Sequence, residues 1–154
     1  MLHLQALLLR LKEGKKMISA DDIIGKWKSC SDLTGKVEDN ISKLLVPVMQ
    51  DFLSYVVSRG IELHKNPKTG TLVSGEQYGG FRPQACTIGA PKSNHKLGLA
   101  VDIYDPHNTL DAWCMANKSV LVEYGIWLEH PDATPGWCHL QIVPPRSGNR
   151  VFKP

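Results

Sequence analysis

The sequence predicts an α+β fold, with N-terminal helices packed on a small, mostly antiparallel sheet. Three observations lead there. Apolar residues recur every four positions between Asn40 and Arg59, the period of an amphipathic helix. Beyond Gly60 that period is lost, and short β-like runs alternate with Gly and Pro turns. The chain has 154 residues, 42% of them hydrophobic and 21% charged, which suits one globular unit with its own core rather than a disordered or stapled scaffold.

Taken in order, Leu4, Leu7, Leu8 and Leu11 fall on one face of a short helix. Translation starting naturally at Met17 would instead leave the first sixteen residues outside the protein, and both readings stand. Ser19-Ala20-Asp21-Asp22 before Ile23 has the pattern of a capped helix start with acidic first-turn residues. Gly25 and then Ser29 to Gly35 break it. The stretch Asn40 to Arg59 carries Leu44, Val48, Phe52 and Val56, flanked by Leu45, Met49 and Tyr55, with Pro47 tolerable near the first turn and Gly60 as terminator. Residues 60–64 and 71–74 read as β-like, 99–104 as a strand, and 110–123 as a second helix. Two more strands, 125–130 and 137–143, are joined by Pro131 to Pro135, and the polar tail after Pro144 reads as irregular. Residues 1–36 thus form a helical extension and 37–154 the main domain, one globular unit in all.

Eighteen Lys and Arg against fifteen Asp and Glu give a net charge of +3. That mild excess favours anionic surfaces such as cell-wall polymers and lacks the dense basic face of a nucleic-acid binder. No apolar run approaches the ~20 residues of a membrane span. The N-terminal segment has no recognisable signal-peptide pattern: Arg10 interrupts its apolar stretch, and lysines follow where a cleavage site would stand. Cys30, Cys86, Cys114 and Cys138 include no Cys-x-x-Cys pair, and read as scattered thiols.

Among six histidines, His3 and His64 lie without other ligand types nearby, and His107 follows Asp105-Pro106 in a turn. His95 stands seven residues before Asp102. On one strand those Cα atoms would be ~23 Å apart, and on one helix ~10 Å, so both side chains reach one metal only if the chain reverses between them. Gly98 permits that reversal. His139, on the strand after Trp137, adds a second imidazole. Two histidines and a carboxylate, with a fourth position for water, form the ligand set of a catalytic zinc site. A structural site would want Cys138, but neighbours on a strand point to opposite faces.

The string Ser93-x-His95-x-x-Gly98-x-Ala100-x-Asp102, followed by Trp137-x-His139, resembles the D-alanyl-D-alanine carboxypeptidase and dipeptidase family of zinc peptidases, in the group that includes lysostaphin and the hedgehog domain. Ser74-Gly75 and Gly80-Phe81-Arg82-Pro83 resemble that family's Ser-Gly-Tyr-Arg segment, and the likeness covers about Val37 to Val143. The resemblance implies one Zn2+ per chain on His95, Asp102 and His139, substrate contacts from Arg82, Ser93 and Trp137, and peptidoglycan stem peptides as substrate. A D-Ala-D-Ala carboxypeptidase-like and an L-Ala-D-Glu endopeptidase-like activity both fit. So do a phage lysis enzyme and a bacterial one acting on the cell wall.

One departure matters. The family has Glu or Asp three residues before its last histidine, and this chain has Gly136. Two acids are close enough in sequence to replace it, and Glu129 is taken as general base and acid, with Asp132 in reserve. A five-residue hairpin loop would set Glu129 across from Trp137, on the face of His139. The other reading of Gly136 is a catalytically silent, zinc-containing module that binds the cell wall.

Overall fold

The computed structural model describes residues 15–154. The helical face of Leu4, Leu7, Leu8 and Leu11 lies outside them.

The architecture is α+β with a four-stranded mixed sheet. Helix α1 (Ala20–Ile24) opens on a complete capping box: Ser19 Oγ accepts from Asp22 N, and Asp22 Oδ2 accepts from Ser19 N. After the bend that follows comes α2 (Gly35–Asp39), a π-helical stretch (Asn40–Leu45) and α3 (Val46–Ser58). The π stretch alters the expected stripe. Val46 N–H bonds Ile41 O, five residues back, and Pro47 has no N–H to restore the α pattern in this turn. The buried row therefore runs Ile41, Leu45, Met49, Phe52, Leu53 and Val56, while Leu44 is exposed and Val48 half-buried. Gln50, buried on α3, takes Met17 N and Ile18 N on Oε1, and gives Nε2 to Lys15 O, which ties the N-terminal strand of chain to the helix.

Residues 60–64 are irregular, and 71–74 contribute only an isolated bridge, Val73 to Ile103. Strand β1 (Ala100–Tyr104) follows, then α4 (Thr109–Ala116) and α5 (Lys118–Tyr124), two helices broken at Asn117 where one was expected. Phe52 and Tyr55 of α3 pack their rings against Trp113 and Tyr124 of this pair. Strands β2 (Trp127–Glu129), β3 (Trp137–Gln141) and β4 (Val151–Phe152) complete a sheet of order β1-β3-β2-β4. The tail is thus not irregular throughout: β4 joins β2 in parallel, and the other pairings are antiparallel.

The pleat divides the sheet cleanly. Val101, Ile103, Leu128, Cys138 and Leu140 are fully buried on the core face. Asp102, Glu129, Trp137, His139 and Gln141 alternate with them and share the other face, as residues opposite one another in a ladder must. Ile18, Ile23 and Ile24 belong to the same core as the sheet and helices.

Candidate metal centre

Asp102 and His139 are directly opposed in the β1–β3 ladder, so their side chains leave the sheet together. His139 Nδ1 lies 2.8 Å from Asp102 Oδ1. His95 arrives from a 3₁₀ turn (Asn94–Leu97) that Ser93 caps by accepting from His95 N, and that Gly98 ends at φ +72. A side chain at 98 would be strained there and would strike Ile41 and Val37. The reversal delivers His95 Nε2 to within 3.2 Å of both Asp102 Oδ1 and His139 Nδ1. All three residues are buried.

The outer hydrogen bonds decide which nitrogen faces inward. His95 donates Nδ1–H to Gly80 O at 2.8 Å, so its Nε2 carries a lone pair. Gly80 can hold its carbonyl there because it packs without a side chain against Ile23 O, which a Cβ would meet at 2.0 Å. Gln141 Nε2 donates to Val143 O at 2.9 Å, which turns Gln141 Oε1 towards His139 Nε2, 2.8 Å away. His139 therefore donates from Nε2, and its Nδ1 looks inward. Three acceptor atoms, His139 Nδ1, His95 Nε2 and Asp102 Oδ1, then face one another at 2.8–3.2 Å with no proton of their own to share. A cation at their centre would satisfy all three. Ligands ~2.0–2.1 Å from a tetrahedral ion sit ~3.3 Å apart, within a few tenths of an ångström of what is seen. The group could hold a metal ion.

Burial pulls the Asp102 carboxyl up, but His95 and His139 outweigh it and hold the acid well below the usual carboxylate range. Burial lowers the His95 imidazole against the pull of Asp102. For His139 burial also acts downward, but the bond and charge of Asp102, with help from Gln141, raise it.

Arg82 is buried with three of its five N–H donors engaged: Nη2 to Asp102 Oδ2 at 3.2 Å, Nε to Tyr78 O at 2.7 Å, and Nη1 to Ile88 O at 3.3 Å. It thus steadies the carboxylate while lining the cleft above it. That cleft, about 1030 Å³, is also lined by Ser93, Trp137 and Glu129, together with the triad. Asp132 is not among its lining residues. It stands on the 3₁₀ turn Pro131–Ala133, exposed and paired with His130.

The β2–β3 register is Trp127 to Gln141 and Leu128 to Leu140, which continues to Glu129 opposite His139, not Trp137. The connection is longer than a five-residue loop because a 3₁₀ turn is followed by a second turn through Pro135 and Gly136. A slip of two residues preserves the face, so Glu129 still looks the way His139 does. Burial raises its carboxyl, His139 opposes that, and Asp102 reinforces it. Gly136 sits in the second turn at φ +93, its N–H bound by Asn108 Oδ1, a backbone conformation that disfavours the acid expected there. Gln141 and Gly80 went unread in the sequence as parts of the site. Gln141, two residues after His139, was legible as a neighbour on one strand face. Among the described residues His64 and His107 meet edge-on, ring centroids 5.9 Å apart, and neither lines the cleft.

No protein-family model, no curated protein and no solved structure matches this chain.

Proposed function

We propose that this chain is a zinc-dependent peptidase of peptidoglycan stem peptides, with zinc on His95, Asp102 and His139. The observation that carries the reading is the inward convergence of two imidazole lone-pair positions and one carboxylate oxygen at the floor of a cleft that also holds Glu129. Bound there, zinc would supply Lewis acidity and bring the pKa of a water down towards 7. The chain's own groups do the rest. Glu129, held above its usual protonation range in the cleft wall, accepts a proton at its carboxylate and returns it to the leaving amine. Arg82 keeps Asp102 aimed, with guanidinium donors left over for a substrate carbonyl or carboxylate. Trp137 gives the substrate an apolar wall. Ser93 acts mainly by capping the turn that presents His95.

Action at the cell wall, by a phage or bacterial enzyme, follows from the same resemblance in the Ser93–Asp102 string. No helix among the described residues is long and apolar enough to cross a membrane. A silent wall-binding module is the second reading, favoured by Gly136 alone. Mass spectrometry of purified muropeptides after incubation with the zinc-loaded chain separates them. New peptide termini that vanish with chelator support the peptidase, and intact muropeptides bound by the chain support the module.

A further inference from the structure

We propose that the cleft is a binding site for acidic peptides, in which Lys92, Arg146 and Lys153 take carboxylates on either side of the bond to be cut. The inference deepens the peptidase reading and rests on it for the position of that bond.

The cleft lining carries four cations, Arg82, Lys92, Arg146 and Lys153, against two acids, Asp102 and Glu129. Arg82 and Asp102 are bonded to each other, so their charges offset. Glu129 is the proton carrier of the proposed reaction. What remains is three exposed cations, none with an acidic partner among the described residues. Single surface charges are cheap and ordinary, but several of one sign around a concave wall add their fields and select for anions.

Both segments that carry these cations are fixed to the metal-ligand frame. Lys92 lies three residues before His95, in a loop fastened by buried Lys96, whose Nζ donates to Gln84 O and Pro91 O, and by Arg82 to Ile88 O. Arg146 and Lys153 belong to the C-terminal arm. That arm is sewn to β2 through Leu128 N to Arg150 O and His130 N to Phe152 O. Arg150 also stacks on Trp127 at 4.1 Å and donates to Ile126 O. Phe152 sets its ring edge-on to His139, centroids 6.0 Å apart, which brings Lys153 in on the His139 side. A cation-bearing segment therefore adjoins each histidine, and the same cleft is lined by the apolar surface of Trp137 and Phe152. A peptide with carboxylates flanking an apolar or small centre fits this arrangement, and a neutral peptide leaves the three cations unanswered.

The test uses two peptides identical except that glutamates in one are glutamines in the other. Binding to the whole chain is measured by calorimetry with chelator present, so that no turnover intrudes. The acidic peptide is expected to bind at least ~10-fold more tightly, with an advantage that shrinks as salt rises. In the combined variant Lys92→Gln, Arg146→Gln, Lys153→Gln the advantage should fall below about two-fold. The charge-keeping set Lys92→Arg, Arg146→Lys, Lys153→Arg should restore it. Equal affinity for the two peptides overturns the inference, as does discrimination that survives the triple Gln variant. So does inorganic polyphosphate bound as tightly as the acidic peptide through the same three residues. If the acidic peptide binds selectively but zinc-loaded protein cuts neither, the peptidase reading falls and this one stands. If both peptides are cut at equal kcat/KM and bound alike, the reverse holds.

Discussion

Gln141 is the sharpest place to test the metal centre, because it touches no ligand position and yet decides which way one ligand faces. Its Nε2 is committed to Val143 O, so its Oε1 is the acceptor for His139 Nε2–H. In Gln141→Met the buried Nε2–H loses its partner, a cost of ~1–3 kcal/mol for an unsatisfied donor. The imidazole has an alternative: it can keep its proton on Nδ1, where Asp102 Oδ1 waits 2.8 Å away, and leave Nε2 bare among apolar atoms. Zinc must then displace a proton held by a charge-assisted bond worth ~1.5–3 kcal/mol, which predicts zinc binding ~10–100-fold weaker. Gln141→Glu retains the acceptor and should bind zinc at least as tightly as the parent. Competition against a chromophoric chelator measures the affinities, and long-range nitrogen–proton spectra of the metal-free protein identify the His139 tautomer. A Met variant with zinc affinity within about three-fold of the parent would refute the tautomer argument.

Glu129→Gln should keep zinc and fold while cutting muropeptide turnover ~100-fold or more, and Asp132→Asn, exposed and outside the cleft, should stay within about two-fold. A dead Asp132→Asn beside an active Glu129→Gln would move the role to Asp132. Arg82→Lys keeps a charge but not the fork that spans Asp102, Tyr78 and Ile88, so kcat/KM should fall. Unchanged zinc content in that variant would place the loss on substrate, and loss of zinc in parallel would place it on Asp102. Asp111, buried in the first turn of α4 and bonded by Thr134 Oγ1, is raised to about 7 by burial, with Asp105 adding to it against the Cys138 thiol. Folding thus favours its protonated form, so the stability that Asp111 contributes should be lost as pH rises from about 4 to about 7 and level off above. Asp111→Asn should flatten that slope in urea midpoints measured across the range.

Much of this was legible in the sequence because it is local. Ser19 with Asp22 makes its capping box, and Gly98 makes the reversal between His95 and Asp102, from residues within a few positions. The parity of a strand survives a slip of two residues, so Glu129 came out on the right face although it opposes His139 and not Trp137. What was not legible depends on partners distant in the chain. The pairing of Asp102 with His139 is set by the whole β1–β3 ladder. Residues 60–64 have strand-like alternation but no ladder partner. The π stretch before Pro47 turns the helix so that Ile41 and Leu45, not Leu44, meet the core. The tail forms β4 only because β2 offers an edge beside it.

The His95, Asp102 and His139 cluster is held in place by the protein alone. Asp102 is locked on both sides by main-chain bonds, Asp102 N to Gly79 O at 2.7 Å and Ser74 N to Asp102 O at 2.8 Å. His95 is held by Gly80 and the Ser93 cap, and His139 by its ladder position and Gln141. None of these supports requires an ion, and the core behind them is a continuous apolar cluster from Ile18 to Val151. A zinc finger, by contrast, has no core to fall back on and unfolds when stripped. Chelated protein should therefore keep its far-ultraviolet spectrum and a cooperative melt. Zinc should add only the linkage term, ~4 kcal/mol at a thousand-fold excess over Kd, visible as a rise in Tm that grows with the logarithm of free zinc. Because the apo site crowds His95 Nε2 against Asp102 Oδ1 at 3.2 Å, relief of that crowding belongs to the same increment. Collapse of the fold on chelation would mean that metal organises the ladder, and the preformed geometry argued from Gly80, Arg82 and Gln141 would then be wrong.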